Sequence, residues 1–166
     1  MTDKEKPQIV IEWEEHTKNG EKVLVVFLRH LGCTFCMEAL ADLREQLSEI
    51  ELRNTRLYIV HMANEDVGQV HLEQYGLDNV SHISDPKREL YKYFELKFGS
   101  PLQLFGPQVW LRGLQAFIEG GHLVGKLTGH GFQMPGVALC KDGECSLVYR
   151  HPHAGARPDY VSLCAQ

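Results

Sequence analysis

Two cysteines separated by two residues, in the run His30-Leu31-Gly32-Cys33-Thr34-Phe35-Cys36, are the side chains of this sequence best suited to chemistry. They follow the apolar, half β-branched run Val23 to Leu28, and from Cys36 onward apolar residues recur at Leu40, Leu43, Leu47 and Ile50. The run reads as a strand buried on both faces, and the spacing reads as a helix from about residue 34 to 51. Thiols at that junction lie at a helix N-terminus, where unpaired N–H groups and the helix dipole favour a thiolate. A free cysteine titrates near about 8.5 and such sites lower it to about 3.5–7.5, which makes thiolate available at neutral pH. The spacing also lets the second thiol reach back and close a small disulfide ring. Strand, CxxC, helix is the pattern of a thioredoxin-like redox site, with Cys33 and Cys36 as its reacting residues.

Other chemistry for this pair is weaker. Half of a zinc site needs two further ligands. Cys140 and Cys145 could supply them only if their hairpin tip met the cysteine end, and the expected register puts it at the opposite end. Covalent haem attachment fails because Met37, not histidine, follows Cys36. A packed, inert pair is the remaining reading.

The candidate partners lie far along the chain. Pro135 precedes the expected strand Val137-Ala138-Leu139 and by itself reads as a strand-entry proline. With a strand, CxxC and helix upstream, the spacing resembles the cis-proline loop that faces the cysteines in thioredoxin folds, which implies a cis Met134–Pro135 bond. Asp142-Gly143 is a strong two-residue turn signal, so Val137 to Tyr149 is predicted to be a hairpin. Its register opposes Lys141 to Glu144, Cys140 to Cys145 and, continued, Arg150 to Pro135. Arg150 would then stand at the cysteine end, able to stabilise a thiolate or polarise a peroxide oxygen; a solvated edge arginine is the competing reading. Opposed Cys140 and Cys145 are within reach of a cross-strand disulfide, but strand packing is the favoured role in a reducing compartment. His30 could donate to a thiolate or move a proton, against the commoner case of a strand-end histidine bonded to backbone. His151-x-His153 is too short a pattern to argue for a metal, and Cys164 is expected to be an exposed tail thiol.

The elements that must position these groups alternate along the whole chain. Leu57-Tyr58-Ile59-Val60 reads as a second strand, and Asp66 to Tyr75 as a helix stopped by Gly76. Ser84-Asp85-Pro86 reads as a cap with proline at the first helical position, opening a helix from Lys87 to about Leu96. Gly99 to Gly106 reads as a loop, Val109 to Glu119 as a helix, and Gly120 to Gly131 as a surface excursion. The result is α/β, one domain over residues 1–166, with an antiparallel hairpin completing a mostly parallel sheet.

The chain has 166 residues, 17 Lys and Arg against 22 Asp and Glu, a net charge of −5, and 43% hydrophobic residues. That is ordinary globular composition; it excludes dominant disorder and argues against a general nucleic-acid binder. The apolar runs are too short to span a membrane, and no signal-peptide pattern opens the sequence. With five cysteines, an odd number, the leaderless sequence points to a reducing cytoplasm, where thiols are more often reactive than structural. No metal or organic cofactor is required by this reading.

Arg29 to Cys36, then Ser84-Asp85-Pro86 with Glu89-Leu90-Tyr91, then Gln133-Met134-Pro135-Gly136-Val137, Asp142-Gly143 and Tyr149-Arg150-His151 together resemble the peroxiredoxin-like group. That group is a branch of the alkyl hydroperoxide reductase/thiol-specific antioxidant superfamily, related to selenoprotein L. The match runs in order over about residues 9 to 160. It implies a thioredoxin-like fold with a central mixed sheet flanked by helices and a C-terminal hairpin. It further implies reduction of a peroxide or related oxidised substrate by a dithiol/disulfide cycle, with a thioredoxin- or glutathione-type electron donor. The sequence departs from the peroxiredoxin pattern Pro-x-x-x-Thr-x-x-Cys: no proline heads it and Cys33 stands in the threonine's place. Matching that pattern makes Cys36 the attacking thiol, and matching thioredoxin makes it Cys33. Cys33, expected to face solvent, is preferred as nucleophile with Cys36 as resolving partner. A disulfide reductase without peroxidase activity and a non-catalytic zinc-binding or structural module are the alternatives.

Overall fold

In the computed structural model, residues 5–107, 109 and 130–166 are described. The chain runs α1 (Gln8–Thr17), β1 (Lys22–Phe27), α2 (Thr34–Leu52), β2 (Thr55–His61), α3 (Glu65–Gln74), β3 (Ser81–Ser84), α4 (Glu89–Tyr93) and α5 (Pro101–Phe105). After residue 130 come β4 (Gly136–Lys141), β5 (Glu144–Arg150) and α6 (Tyr160–Leu163). The strands form one sheet in the order β3-β2-β1-β4-β5. β1 pairs in parallel with β2 and antiparallel with β4, and β2 and β3 are parallel. This is the mixed, helix-flanked sheet with a C-terminal antiparallel hairpin that the sequence implied.

β1 sits at the centre because both its faces are apolar. Successive side chains point to opposite faces: Leu24 and Val26, with Leu28 just beyond, join Leu40, Leu43 and Ile50 of α2. Val23, Val25 and Phe27 join Trp13 of α1 and Leu90 and Tyr91 of α4. The strand therefore presents its C-terminal end, and the cysteines that follow, between two closed cores. Tyr91 pins that end, its hydroxyl lying 2.6 Å from the Leu28 carbonyl and 3.1 Å from that of Val60.

The structure differs from the sequence reading at several places. α1, β3, α5 and α6 are additional elements. Asp85 does cap a helix, accepting hydrogen bonds from the N–H groups of Glu89 and Leu90 at 2.8 and 2.9 Å. The helix it caps is α4, which begins later than expected: Arg88, with φ 59°, is the N-cap, and Pro86 is outside the helix. Glu95, at φ 56°, ends it early. Gly76 does adopt the left-handed conformation, φ 66°. The predicted helix from residue 109 to 119 and the excursion from 120 to 131 lie, except at their ends, outside the described residues.

The hairpin turns at Asp142 and Gly143, both at positive φ (52° and 81°), as a two-residue primed turn demands. Its register holds from Lys141↔Glu144 and Cys140↔Cys145 to Ala138↔Leu147. A bulge between Val137 and Ala138 then shifts the pairing, so Arg150 opposes Gly136 and not Pro135. The extra residue of a bulge moves every later pair along. Among the described residues, no helix is long and apolar enough to cross a membrane.

Candidate active site

Cys33 is the N-cap of α2, and its carbonyl accepts hydrogen bonds from the N–H groups of Cys36 and Met37 at 2.9 and 3.0 Å. Arg29 approaches from the end of β1, with Nη1 3.8 Å from Cys33 Sγ. Its other donors are fixed: Nε bonds the Gly131 carbonyl at 2.8 Å and Nη2 bonds the same oxygen. The His30 backbone N–H points at Cys36 Sγ from 3.5 Å. One sulfur thus faces a cation held by backbone, and the other faces an amide dipole.

The two thiols consequently behave differently. Cys33 is drawn down to about 6, first by a hydrogen bond from the Cys36 thiol, then by Arg29 and the N–H groups of Cys36 and Phe35, against the opposing effect of burial. Cys36 is raised well above the ordinary thiol value by burial, and further by its hydrogen bond and proximity to Cys33. At neutral pH the pair is a thiolate and a thiol joined by one hydrogen bond. Both are buried, Cys33 5% and Cys36 4% exposed. The expected solvent-facing Cys33 is therefore corrected: the residue sits in the same apolar cluster as Leu28 and Leu31.

Behind Cys36 lies a crevice of about 20 Å³ bordered by Phe35, Asp42, Pro135, His151, Arg157 and Tyr160. That is room for about one water. Arg157 grips the α2 carboxylates on this side: Nε bonds Asp42 Oδ2 at 2.9 Å, Nη2 bonds Oδ1, and Nη1 lies 3.2 Å from Glu38 Oε1.

Other candidates fall as follows. Pro135 is buried and borders the same crevice as Cys36, but the described residues contain no cis peptide bond, so Met134–Pro135 is trans and the expected cis bond is overturned. The loop it belongs to is instead held by Gln133, whose Nε2 donates to the Leu96 carbonyl at 2.9 Å, and by Arg29 on Gly131. His30 is buried with no partner for Nδ1 among the described residues, and burial, then Arg29, lowers it to about 4. It is therefore neutral at pH 7 and acts on Cys36 through its backbone. Arg150 does not reach the thiols: the bulge turns it so that Nη1 bonds the Glu95 carbonyl at 2.7 Å on the surface. Cys164 is fully buried, its thiol donating to the Tyr160 carbonyl at 3.2 Å, and is not an exposed tail thiol. Cys140 and Cys145 are joined as a disulfide, against the favoured packing role. No group of three or more His, Cys, Asp or Glu among the described residues could hold a metal.

Sequence reasoning passed over Arg29, Asp42, Arg157 and the ring of His151. Arg29 had a signal, a lone cation four residues before the first cysteine on the same strand end. Asp42 and Glu38 also had one: two acids a helical turn apart on the buried side of α2 need a cation. That this cation is Arg157, 115 residues away from Asp42, is not readable from local spacing.

No family model and no curated protein matches the sequence. Among solved structures the chain is similar to the reduced form of a Plasmodium vivax 2-Cys peroxiredoxin, at 13% identity and a TM-score of 0.56. The match covers 91% of this chain and 79% of that one. At that identity the likeness shows a shared thioredoxin-like fold and nothing finer.

Proposed function

We propose that this protein is a thiol-dependent oxidoreductase that reduces a peroxide through a Cys33–Cys36 dithiol/disulfide cycle. The observation that carries the reading is the division of labour between the thiols: Cys33 brought down to about 6 beside Arg29, and Cys36 held protonated behind it. Nucleophilic chemistry at sulfur needs the thiolate, and only Cys33 supplies one at neutral pH.

In this cycle the Cys33 thiolate attacks one peroxide oxygen. The O–O bond breaks, the departing oxygen takes a proton from water to leave as alcohol or water, and Cys33 becomes a sulfenic acid. Cys36 then attacks that sulfur. Its proton goes to the departing hydroxide, water leaves, and the Cys33–Cys36 disulfide forms. A thioredoxin- or glutathione-type donor returns two electrons and two protons. Arg29 stabilises the thiolate before attack and the negative charge developing on peroxide oxygen during it. His30, neutral, aims its amide at Cys36. The burial of Cys33 favours a small peroxide over a folded protein's disulfide, which could not bring its sulfur in line with a 5% exposed residue without movement.

The test is hydroperoxide consumption by wild type, Cys33→Ser and Cys36→Ser, with mass spectrometry after one equivalent of peroxide. Wild type is expected to lose two hydrogens as an internal disulfide, Cys36→Ser to stop at a sulfenic acid on Cys33, and Cys33→Ser to stay unoxidised. Full turnover in both variants would reject the mechanism. Faster reduction of insulin disulfides than of hydroperoxide would reject the substrate class.

A further inference from the structure

The sulfurs at the other end of the sheet play no part in that cycle. Cys140 and Cys145 oppose each other directly in the β4–β5 ladder, with Cα atoms 4.0 Å apart, and are bonded. Cys140 is fully buried in the cluster that contains Trp13 and Val10. Cys145 lies on β5, the edge strand, half-buried between exposed Glu144 and Ser146. Cys145, though packed against the same cluster, is the less buried of the two, and attack on its sulfur makes Cys140 the leaving side.

What holds the two residues together is largely independent of the bond. Lys141↔Glu144 and Leu139↔Ser146 flank the pair in the ladder. The turn beyond it is fixed by the positive φ of Asp142 and Gly143 and by the Gly143 N–H donating to Thr17 Oγ1 at 3.2 Å. With a sequence separation of 5, the bond closes a small ring and restricts the unfolded chain less than a long-range crosslink does. Opening it leaves both sulfurs opposed and ready to rejoin. A crosslink of that kind is poorly placed as a staple and well placed as a reversible couple.

We propose that Cys140–Cys145 is a second thiol–disulfide couple, exchanged by an external dithiol of the thioredoxin class through attack at Cys145. The incoming thiolate bonds Cys145 Sγ as the S–S bond breaks, and Cys140 leaves and takes a proton. The donor's second thiol then displaces Cys145, which takes the second proton. Two electrons and two protons move from donor to hairpin, and the donor leaves as its disulfide. The reverse exchange restores the bond. This couple does not depend on Cys33 or Cys36.

The experiment uses the Cys33→Ser/Cys36→Ser chain, folded and air-oxidised at pH 7, with reduced dithiothreitol as the dithiol probe and iodoacetamide as the trap. Peptide mapping is expected to find Cys140 and Cys145 unalkylated before reductant. Afterwards each should carry one alkyl group, with the far-UV circular dichroism unchanged, and oxidised dithiothreitol should reverse the change. Alkylation of both residues before any reductant would overturn the proposal. So would a disulfide that survives dithiothreitol in the folded chain and yields only in denaturant. The same mapping on wild type covers the case in which the double variant does not fold. Because the couple is read with the CxxC removed, inactivity of Cys33 and Cys36 toward peroxide leaves this result untouched.

Discussion

The two ends of the sheet treat sulfur in opposite ways. At the end where β4 turns into β5, both cysteines are bonded, the turn residues adopt the backbone the turn needs, and the Gly143 N–H finds Thr17. At the other end two free thiols share a buried site with an arginine. Near them His30, and His151 on the crevice behind Cys36, each bury an Nδ1 with no partner among the described residues. Unpaired buried polar atoms cost stability. That cost is not confined to one end, since Trp13 Nε1 in the cluster around Cys140 also has no partner among the described residues; what separates the two ends is the cation beside Cys33. The contrast teaches that a thiol's position along a strand says little about its role: its neighbours' charge decides.

The largest test of this contrast is Cys33→Ser, expected to take peroxide turnover to background, while Cys145→Ser leaves it near wild type. Equal losses in the two variants would erase the difference between the ends.

The next is acid stability. Burial, then the neighbouring His82, lowers His61 to about 4 from an ordinary 6.5, and burial likewise brings His30 and His151 to about 4. A histidine depressed in the folded state binds fewer protons there than when unfolded. Its stabilising contribution is complete above pH 6.5 and is lost as pH falls toward 4, by about 3 kcal/mol for a group such as His61. Urea midpoints should therefore drop steeply from pH 7 to pH 5; an unchanged midpoint would mean these imidazoles accept protons freely. The His61 ring is oriented by a chain that fixes its tautomer. Gln69 Nε2 donates to Glu73 at 2.9 Å, so Gln69 Oε1 accepts from His82 Nε2, also at 2.9 Å, leaving His82 Nδ1 to accept from His61 Nε2 at 3.0 Å.

Gly68 sharpens the same point. Replacing a helical glycine with alanine ordinarily stabilises by about 0.5–1 kcal/mol. Here the new Cβ would lie 2.1 Å from His61 Nε2, so Gly68→Ala is expected to destabilise by about 2 kcal/mol. A raised melting temperature would show that the imidazole is not wedged where it appears.

Much of the chemical end was legible in sequence because it is contiguous. A buried strand, a CxxC and an amphipathic helix follow one another without interruption, so period and spacing place Cys33 and Cys36 directly. The hairpin was equally local, written in Asp142-Gly143. What escaped was either polar or distant. β3 is the edge strand Ser81-His82-Ile83-Ser84, partly exposed throughout, and shows no apolar alternation. α5 is five residues long and is announced by no apolar period, only by the Ser100–Gln103 capping box and Pro101 at its first position. The bulge that removes Arg150 from the site leaves no mark in residue types, and the Asp42–Arg157 pair joins segments that meet only after folding.

The smallest expected effect concerns Arg29. Arg29→Gln keeps a polar side chain and removes the charge near Cys33. It should raise the thiol's titration by about one unit and slow alkylation about tenfold below pH 6, with the deficit fading toward pH 8. A uniform slowing at every pH would instead indicate a packing defect.

The most direct measurement is the rate of Cys33 alkylation by iodoacetamide against pH in the wild-type protein, with the modified cysteine identified by mass. The account predicts a single titration centred at about 6, with Cys33 labelled and Cys36 untouched. A midpoint near that of an ordinary thiol, or labelling of Cys36 first, would contradict it.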